Sequence, residues 1–236
     1  MGEFFFFRHG QGSFGTDNYD RLSERGVQQA KILGQHLAAC HIHFDAVYSG
    51  SLERQKDTAR RVKEVYLEKD LFFPELLVDE SWNEMDSNQV WETQIKMMIQ
   101  DEPGLLDEIK MDPGDKKAFQ KVFSRVMDRW VSGDFDGPGD ITWKGFRQQV
   151  RQGLNALCET AGPSGKIAVF SSGGPISVAV QAALDLSGLK TLDLLWQLMN
   201  ASITRFRWDG QRISLSGFND ITHLELKGDK TLITYR

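Results

Sequence analysis

Three features of this 236-residue sequence predict an α/β fold with a three-layer, doubly wound and mostly parallel sheet. Short apolar runs alternate with amphipathic stretches of helical period, which is typical of a parallel sheet covered by helices on both faces. Several of the apolar runs end in polar or glycine-rich loops. A helix-rich segment from about residue 86 to 140 interrupts the alternation, and it predicts a helical insertion over the sheet edge that carries the candidate site.

The first half of the chain is predicted to contain three strands and two helices. Residues 3–7, Glu3 followed by four phenylalanines, contain an apolar run that predicts a buried first strand, which ends at Arg8-His9-Gly10. Ser23 has the residue type of a helix N-cap and begins the helix that follows. The remaining patterns predict strands over residues 44–48 and 72–78 and helices over residues 24–39 and 52–67.

The second half begins with the insertion, where helical patches cover residues 90–100 and 116–131. The α/β pattern then resumes. It predicts helices over residues 143–160 and 176–186, a strand over 166–170, and a hairpin of strands over 203–208 and 212–215. Because no linker, repeat or low-complexity tract separates these elements, residues 1–236 are predicted to form one domain that includes the insertion.

Composition excludes several classes of function. Hydrophobic residues are 40% and charged residues 26% of the chain, and the net charge is −5. No broad basic field is therefore present to attract nucleic acid or an anionic membrane, and we expect neither as a partner. No stretch approaches the roughly 18 apolar residues that a membrane-spanning helix needs.

Cys40 and Cys158 are far apart, which predicts reduced thiols in a cytoplasmic protein. Nothing in the composition indicates an oligomer.

Polar residues that follow three of the predicted strands are the candidate site. Arg8, His9 and Gly10 follow the first strand, Arg54 lies in the first helical turn after the second, and a loop over residues 171–174 follows the fourth. Because parallel strands present their carboxyl ends at one edge of a sheet, these loops are expected to meet in one crevice. Two arginines and a helix N-terminus favour an anion such as phosphate. A histidine there is suited to act as a nucleophile or a proton carrier.

Ordered motifs extend from the first strand nearly to the end of the chain. They are Arg8-His9-Gly10, Leu22-Ser23-Glu24-Arg25-Gly26-x-Gln28-x-Ala30, Ser51-x-x-Arg54 with Thr58-Ala59, Trp82-Asn83-Glu84, and Asn219-Asp220-Ile221-Thr222-His223-Leu224. Together they resemble the histidine phosphatase superfamily, which is phosphoglycerate mutase-like. This set of motifs is far more specific than the first tripeptide alone.

The resemblance implies a role for each matching residue. His9 would be the nucleophile and form a phosphohistidine, while Arg8 and Arg54 would bind the phosphoryl oxygens. Glu84 would protonate the leaving alkoxide and later deprotonate the attacking water. The implied activity is a phosphomonoesterase acting on a small-molecule phosphate ester, without a metal or an organic cofactor. A phosphoglycerate mutase-type phosphoryl transferase is the alternative enzyme.

Four further polar residues have less defined roles. Ser13 and Asn18, in the loop after the first motif, either contact the substrate or satisfy the backbone of their own loop. Asn200 either contacts the phosphate pocket or caps the helix before it. His223 lies in a motif of the family's C-terminal pattern, where a structural or peripheral role is expected.

The fourth loop departs from the family pattern. The family carries Ser-His-Gly-Gly there, and its second histidine also binds the phosphoryl group, whereas this chain has Ser171-Ser172-Gly173-Gly174. Ser172 thus supplies a neutral hydroxyl, and losing one phosphoryl donor is expected to cost about 2–4 kcal/mol of transition-state stabilisation. The Gly173 amide and the helix N-terminus can compensate as phosphate-binding groups. A weakly active protein that binds a phosphorylated ligand is therefore a second interpretation beside a phosphatase.

Overall fold

In the described residues, six strands form one mixed sheet and helices cover both of its faces. The structure is a computed structural model that describes residues 1–13, 20–105, 116–162 and 164–235. The strands are β1 (Gly2–Arg8), β2 (Ala46–Ser49), β3 (Leu76–Val78), β4 (Lys166–Ser171), β5 (Ile203–Trp208) and β6 (Ile213–Asp220). The helices are α1 (Glu24–Ala39), α2 (Glu53–Leu67), α3 (Ser87–Asp101), α4 (Lys116–Ser132), α5 (Trp143–Thr160), α6 (Gly173–Leu184), α7 (Gly188–Leu195) and α8 (Thr222–Glu225). Short 3-10 helices cover Glu80–Trp82 and Lys230–Leu232.

The strand order places the three polar loops side by side. The sheet has the order β3-β2-β4-β1-β5-β6, with the first four strands in that order parallel and β5 antiparallel to both of its neighbours. Arg8 pairs with Ser171 and Ser49 pairs with Phe170, so the carboxyl ends of β1, β2 and β4 lie at one edge. The predicted α/β class with a mostly parallel sheet is confirmed.

The four consecutive phenylalanines of β1 alternate between two hydrophobic clusters. Phe4 and Phe6 pack in the cluster that contains α5 and α6, whereas Phe5 and Phe7 pack against α1 and α2. Because both faces of this central strand are covered, every position in the run is apolar. Helices α3 and α4 extend the first cluster with Val90, Met98, Met127 and Trp130.

Several element boundaries differ from the sequence prediction, including that of β6, which the sequence places at residues 212–215 and which covers Ile213–Asp220. Two of the differences involve a proline. The strand predicted over residues 72–78 is shorter, since β3 begins to pair with β2 only at Leu76. Pro74 has no backbone donor and restricts the residue before it, so the ladder starts beyond it. The helix predicted over residues 176–186 is α6, which begins at Gly173 because Pro175 fits in a first helical turn, where the backbone donor is not needed.

Three further features of the described residues concern membranes, metals and cysteines. No described helix combines the length and the apolar character needed to cross a bilayer. In the same residues, no group of three or more His, Cys, Asp or Glu side chains is arranged to hold a metal ion. Cys40 and Cys158 are both free thiols.

Candidate active site

His9 lies directly after β1, and its imidazole is almost fully buried. Its Nε2 accepts a hydrogen bond from Arg54 Nε at 3.1 Å, so the ring proton is on Nδ1, which donates to Gly10 O at 2.7 Å. Burial, followed by the positive charges of Arg54 and Arg8, lowers the pKa of His9 well below its usual value of 6.5. The imidazole is therefore neutral near pH 7, with its lone pair on Nε2.

Hydrogen bonds on the other side fix the backbone of the His9 loop. Asn200 Nδ2 donates to His9 O at 3.2 Å. Thr58 Oγ1 accepts from Gly10 N at 3.1 Å and donates to Arg54 O at 2.7 Å. One threonine thus joins the loop after β1 to the first turn of α2, which explains why Thr58 belongs to the motif that contains Arg54.

Two arginines are held beside the imidazole. Arg54 is buried in the first turn of α2, and its Nη1 lies 2.7 Å from Asp20 Oδ1 in a salt bridge. Asp20 also accepts a hydrogen bond from Glu53 N at 2.7 Å, so it satisfies the N-terminus of α2 as well. Arg8 Nη1 donates to Leu198 O. Both guanidinium groups are therefore oriented before an anion binds, as electrostatic catalysis requires.

The carboxylate of Glu84 lies at the N-terminus of α6. Gly174 N donates to both of its oxygens at 3.1 Å, and a Cβ at residue 174 would lie only 2.0 Å from Glu84 Oε1. Asn83 holds this turn in place, because its Oδ1 accepts from Ser51 N at 2.7 Å and its Nδ2 donates to Ser51 Oγ at 2.8 Å. Burial raises the pKa of Glu84 above its usual value of 4.5, although the Gly174 amide and the two arginines act in the opposite direction.

Ser172 is the N-cap residue of α6 and is fully buried. His9 N donates to Ser171 O at 2.9 Å, which continues the pairing of β1 with β4 and places Ser172 beside His9. Gly173 lies against the Arg8 guanidinium, since a Cβ at residue 173 would be 3.8 Å from Arg8 Nε. The fourth loop therefore lies between the nucleophile candidate and the Glu84 carboxylate.

The structure brings together most of the residues predicted for the site. The clustered residues are Arg8, His9, Arg54, Glu84, Ser172 and Gly173. Asn200 does not cap the preceding helix; its amide supports the backbone of His9. Ser13 N donates to Arg21 O at 2.7 Å, a bond within its own loop. Asn18 lies outside the described residues.

Asp20 and Gln55 also touch this cluster, and no sequence motif predicts either of them. Gln55 directly follows Arg54, and its amide donates to Ser172 Oγ at 2.8 Å. That adjacency is the one sequence signal that points to it. Asp20 has no such signal, because it is one of several polar residues in a loop and meets Arg54 only in the folded chain.

His223 takes part in a different contact. It is buried in α8, and its ring lies 5.4 Å from that of His36 in α1, measured between ring centroids. Among the described residues, it forms no hydrogen bond or ring contact with the clustered side chains. The contact that the structure shows for His223 is thus with α1 and not with the clustered residues.

A family model for the histidine phosphatase superfamily (branch 1) matches residues 4–221, which include all the clustered residues. The chain belongs to this superfamily. No curated protein shows significant sequence similarity to this histidine phosphatase superfamily member.

Solved structures with low sequence identity share the fold of this histidine phosphatase superfamily member. A phosphoserine phosphatase mutant from Entamoeba histolytica, in complex with phosphoserine, is 20% identical with a TM-score of 0.65, over 95% of this chain and 100% of that one. A phosphoglycerate mutase from Bacillus anthracis is 18% identical with a TM-score of 0.64, over 96% of both chains. An alpha-ribazole phosphatase from Shigella flexneri is 18% identical with a TM-score of 0.60, over 92% of this chain and 96% of that one.

Proposed function

We propose that this protein is a phosphomonoesterase that hydrolyses a small phosphorylated metabolite through a phosphohistidine on His9. The observation that carries the proposal is the state of the His9 imidazole. It is buried and neutral, its proton is donated to a backbone carbonyl, and its Nε2 lone pair faces a guanidinium. A neutral imidazole fixed in this tautomer beside cationic donors is suited to attack phosphorus.

In the first step, the Nε2 lone pair of His9 forms a bond to phosphorus while the phosphorus–oxygen bond of the ester breaks. Arg54 turns its donors from Nε2 to the phosphoryl oxygens, which Arg8 and the Gly173 amide also bind. Glu84, whose pKa is raised by burial, gives its proton to the leaving alkoxide. The products of this step are an alcohol, phosphorylated His9 and the Glu84 carboxylate.

In the second step, the Glu84 carboxylate takes a proton from water, and the resulting hydroxide attacks phosphorus. The phosphorus–nitrogen bond breaks, the lone pair returns to His9 Nε2, and inorganic phosphate leaves. Glu84 is protonated again and the cycle is closed. The same two residues therefore serve both halves of the reaction, and no metal or organic cofactor takes part.

The substrate class rests on this chemistry and on the similar structures. Two of them carry the names of phosphatases of small phosphate esters, phosphoserine phosphatase and alpha-ribazole phosphatase. Two arginines and a helix N-terminus suit a single dianionic phosphoryl group. The proposal also places the protein in the cytoplasm, where its two free cysteines stay reduced.

Hydrolysis of p-nitrophenyl phosphate by wild type and His9→Ala tests the proposal. We expect the variant to lose at least about 10³-fold in kcat, because the nucleophile is absent. His43→Ala, at an exposed histidine, is the matched control and is expected to keep the wild-type rate. Equal rates for wild type and His9→Ala would overturn the proposal.

Ser172 supports a second candidate function, a weakly active protein that binds a phosphorylated ligand. A neutral hydroxyl at this position brings less transition-state stabilisation than a cationic imidazole. Labelled substrate and an alkaline denaturing quench, which preserves phosphohistidine, separate the two functions. The phosphatase accumulates label on wild type but not on His9→Ala, whereas the binding protein retains ligand without covalent label. A mutase would in addition pass that label to the alcohol product rather than to water.

A further inference from the structure

We propose that Gln55 is a positioning residue, whose side-chain amide orients the Ser172 hydroxyl so that it donates its proton to a phosphoryl oxygen. The inference deepens the function proposed above and rests on it. It assigns the place of the family's second histidine to a pair of residues, Ser172 as the donor and Gln55 as the group that fixes the direction of that donor.

Gln55 is a polar side chain in a fully buried position. It is 0% exposed, and its Nε2 donates to Trp82 O at 2.9 Å and to Ser172 Oγ at 2.8 Å. A backbone carbonyl can only accept, so the bond to Trp82 fixes which end of the amide faces Ser172. Gln55 therefore presents two N–H donors on this side, and both are used.

The direction of these bonds decides what Ser172 can do. A hydroxyl has one proton to donate and two lone pairs that accept. Because the amide of Gln55 donates to Ser172 Oγ, the oxygen acts as an acceptor in that contact and its own proton stays available. In the described part of the chain, no group accepts a hydrogen bond from Ser172 Oγ. A bound phosphoryl oxygen would be such an acceptor.

The position of Ser172 brings its hydroxyl close to where a phosphoryl oxygen would bind. Ser172 lies beside His9 at the ends of two paired strands, and the next residue, Gly173, lies against the Arg8 guanidinium. A phosphoryl group on His9 Nε2 is therefore surrounded by Arg8, Arg54 and the N-terminus of α6. Gln55 directly follows Arg54, so the first turn of α2 supplies one residue that binds phosphate and one that orients a second donor.

The fold also makes room for this side chain. A Cβ at Gly50 would lie only 2.0 Å from Gln55 Oε1, so a residue with a side chain at position 50 would displace the amide. Gln55 Oε1 is buried and has no hydrogen-bond partner among the described residues. Burying an unsatisfied oxygen costs free energy. We attribute the cost at Gln55 Oε1 to the orientation of Gln55 Nε2, which the same side chain holds toward Ser172 Oγ.

A double-mutant cycle tests the proposal. With p-nitrophenyl phosphate in single turnovers, Ser172→Ala should slow the phosphorylation of His9 by about 100-fold, the lower end of what removing one preorganised donor costs. Gln55→Met keeps the length of the side chain and should slow it by about 10-fold in the wild-type background. In the Ser172→Ala background, Gln55→Met should change the rate by less than about 2-fold, because the hydroxyl that it orients is gone.

The matched control is Gln149→Met, whose amide donates to Glu80 O at 2.9 Å outside the cluster and which should keep the wild-type rate. Thermal unfolding of each variant shows whether it is folded. Equal effects of Gln55→Met in both backgrounds would assign Gln55 a merely structural role and overturn the proposal. A phosphorylation that His9→Ala leaves unchanged would overturn the proposed function itself, which distinguishes the two failures.

Gln55→Glu provides a second test if Gln55→Met does not fold. A carboxylate of the same shape accepts the Ser172 proton and removes it from the phosphoryl oxygen, whereas a protonated carboxyl has one proton that it can donate to Ser172 Oγ. We therefore expect the rate of Gln55→Glu relative to wild type to rise as pH falls. This rise should be lost in the Ser172→Ala background, and its persistence there would count against the proposal.

Discussion

Burial favours the neutral form of both candidate reacting groups, because it shifts their pKa values in opposite directions. It lowers the pKa of His9 and raises that of Glu84. The free imidazole is the form that attacks phosphorus, and the protonated carboxyl is the form that assists the leaving group. With this assignment, kcat/KM falls at low pH as His9 becomes protonated and falls at high pH as Glu84 loses its proton.

Glu84→Gln distinguishes the two roles proposed for this carboxyl, which are protonation of the leaving group and deprotonation of water. Hydrolysis of an alkyl ester such as glycerol phosphate should lose about 10²–10⁴-fold, because an alkoxide needs a proton to leave. With p-nitrophenyl phosphate, whose leaving group needs no proton, the variant should still release a first equivalent of nitrophenol and then turn over slowly. Burst kinetics with the two esters measure this difference. Glu80→Gln, at an exposed carboxylate of the same turn, is the control, and equal losses on both esters would contradict the assignment.

The residues of the cluster differ in how well the sequence reveals them. Arg8, His9 and Arg54 lie in short motifs that follow predicted strands, and the carboxyl ends of parallel strands lie at one edge of a sheet, so the sequence predicts that these residues meet. Asp20 and Gln55 do not lie in a recognisable pattern. Their partners are distant in sequence and depend on side-chain directions that only the folded chain defines.

At the scale of the elements, local chemistry explains which boundaries are predictable. The observed α1 begins and ends where the sequence predicts, since Ser23 has a side chain that accepts a hydrogen bond from Gly26 N at 3.1 Å. The start of α6 is less predictable, because two glycines and a proline are poor helix formers by propensity alone. The helix begins there because β4 ends at Ser171 and because Gly174 N donates to the Glu84 carboxylate.

Ser23→Ala tests the cap of α1. We expect the free energy of unfolding to fall by about 1 kcal/mol, because the variant leaves an N–H of the first turn without its acceptor. Chemical denaturation with urea measures the change. Ser23→Thr is the matched control, since threonine also accepts at the N-cap position and keeps the hydroxyl that donates to Gln11 Oε1 at 3.1 Å. A loss of the same size in Ser23→Thr would show that the hydrogen bonds of this hydroxyl are not the cause.

At the scale of the whole molecule, the buried His223 links stability to pH. Its pKa is lowered to about 4, first by burial and then by His36. The folded protein therefore favours the neutral ring. Its stabilising contribution is complete above the usual pKa of about 6.5 and is lost as pH falls from there toward 4.

Replacing His223 by Phe keeps a stacked ring and removes this titration. Between pH 7 and pH 5 the wild type should lose about 2 kcal/mol more of its free energy of unfolding than His223→Phe, as linkage predicts for one such group. Urea denaturation at the two pH values gives the comparison. His43→Gln, at an exposed histidine, should leave the wild-type difference unchanged. Identical losses in wild type and His223→Phe would show that His223 does not control this dependence.

The hydrogen bond from Arg54 Nε to His9 Nε2 also bears on which esters can react. At rest a donor occupies the lone pair that attacks phosphorus in the proposed mechanism, and that donor leaves only if another acceptor attracts it more strongly. A phosphate monoester carries two negative charges near neutral pH, whereas a diester carries one. In the proposed mechanism, the charge of the bound phosphate therefore draws Arg54 away from His9, and the same movement frees the Nε2 lone pair. The molecule is expected to discriminate against diesters through electrostatics, before the size of either ester group matters.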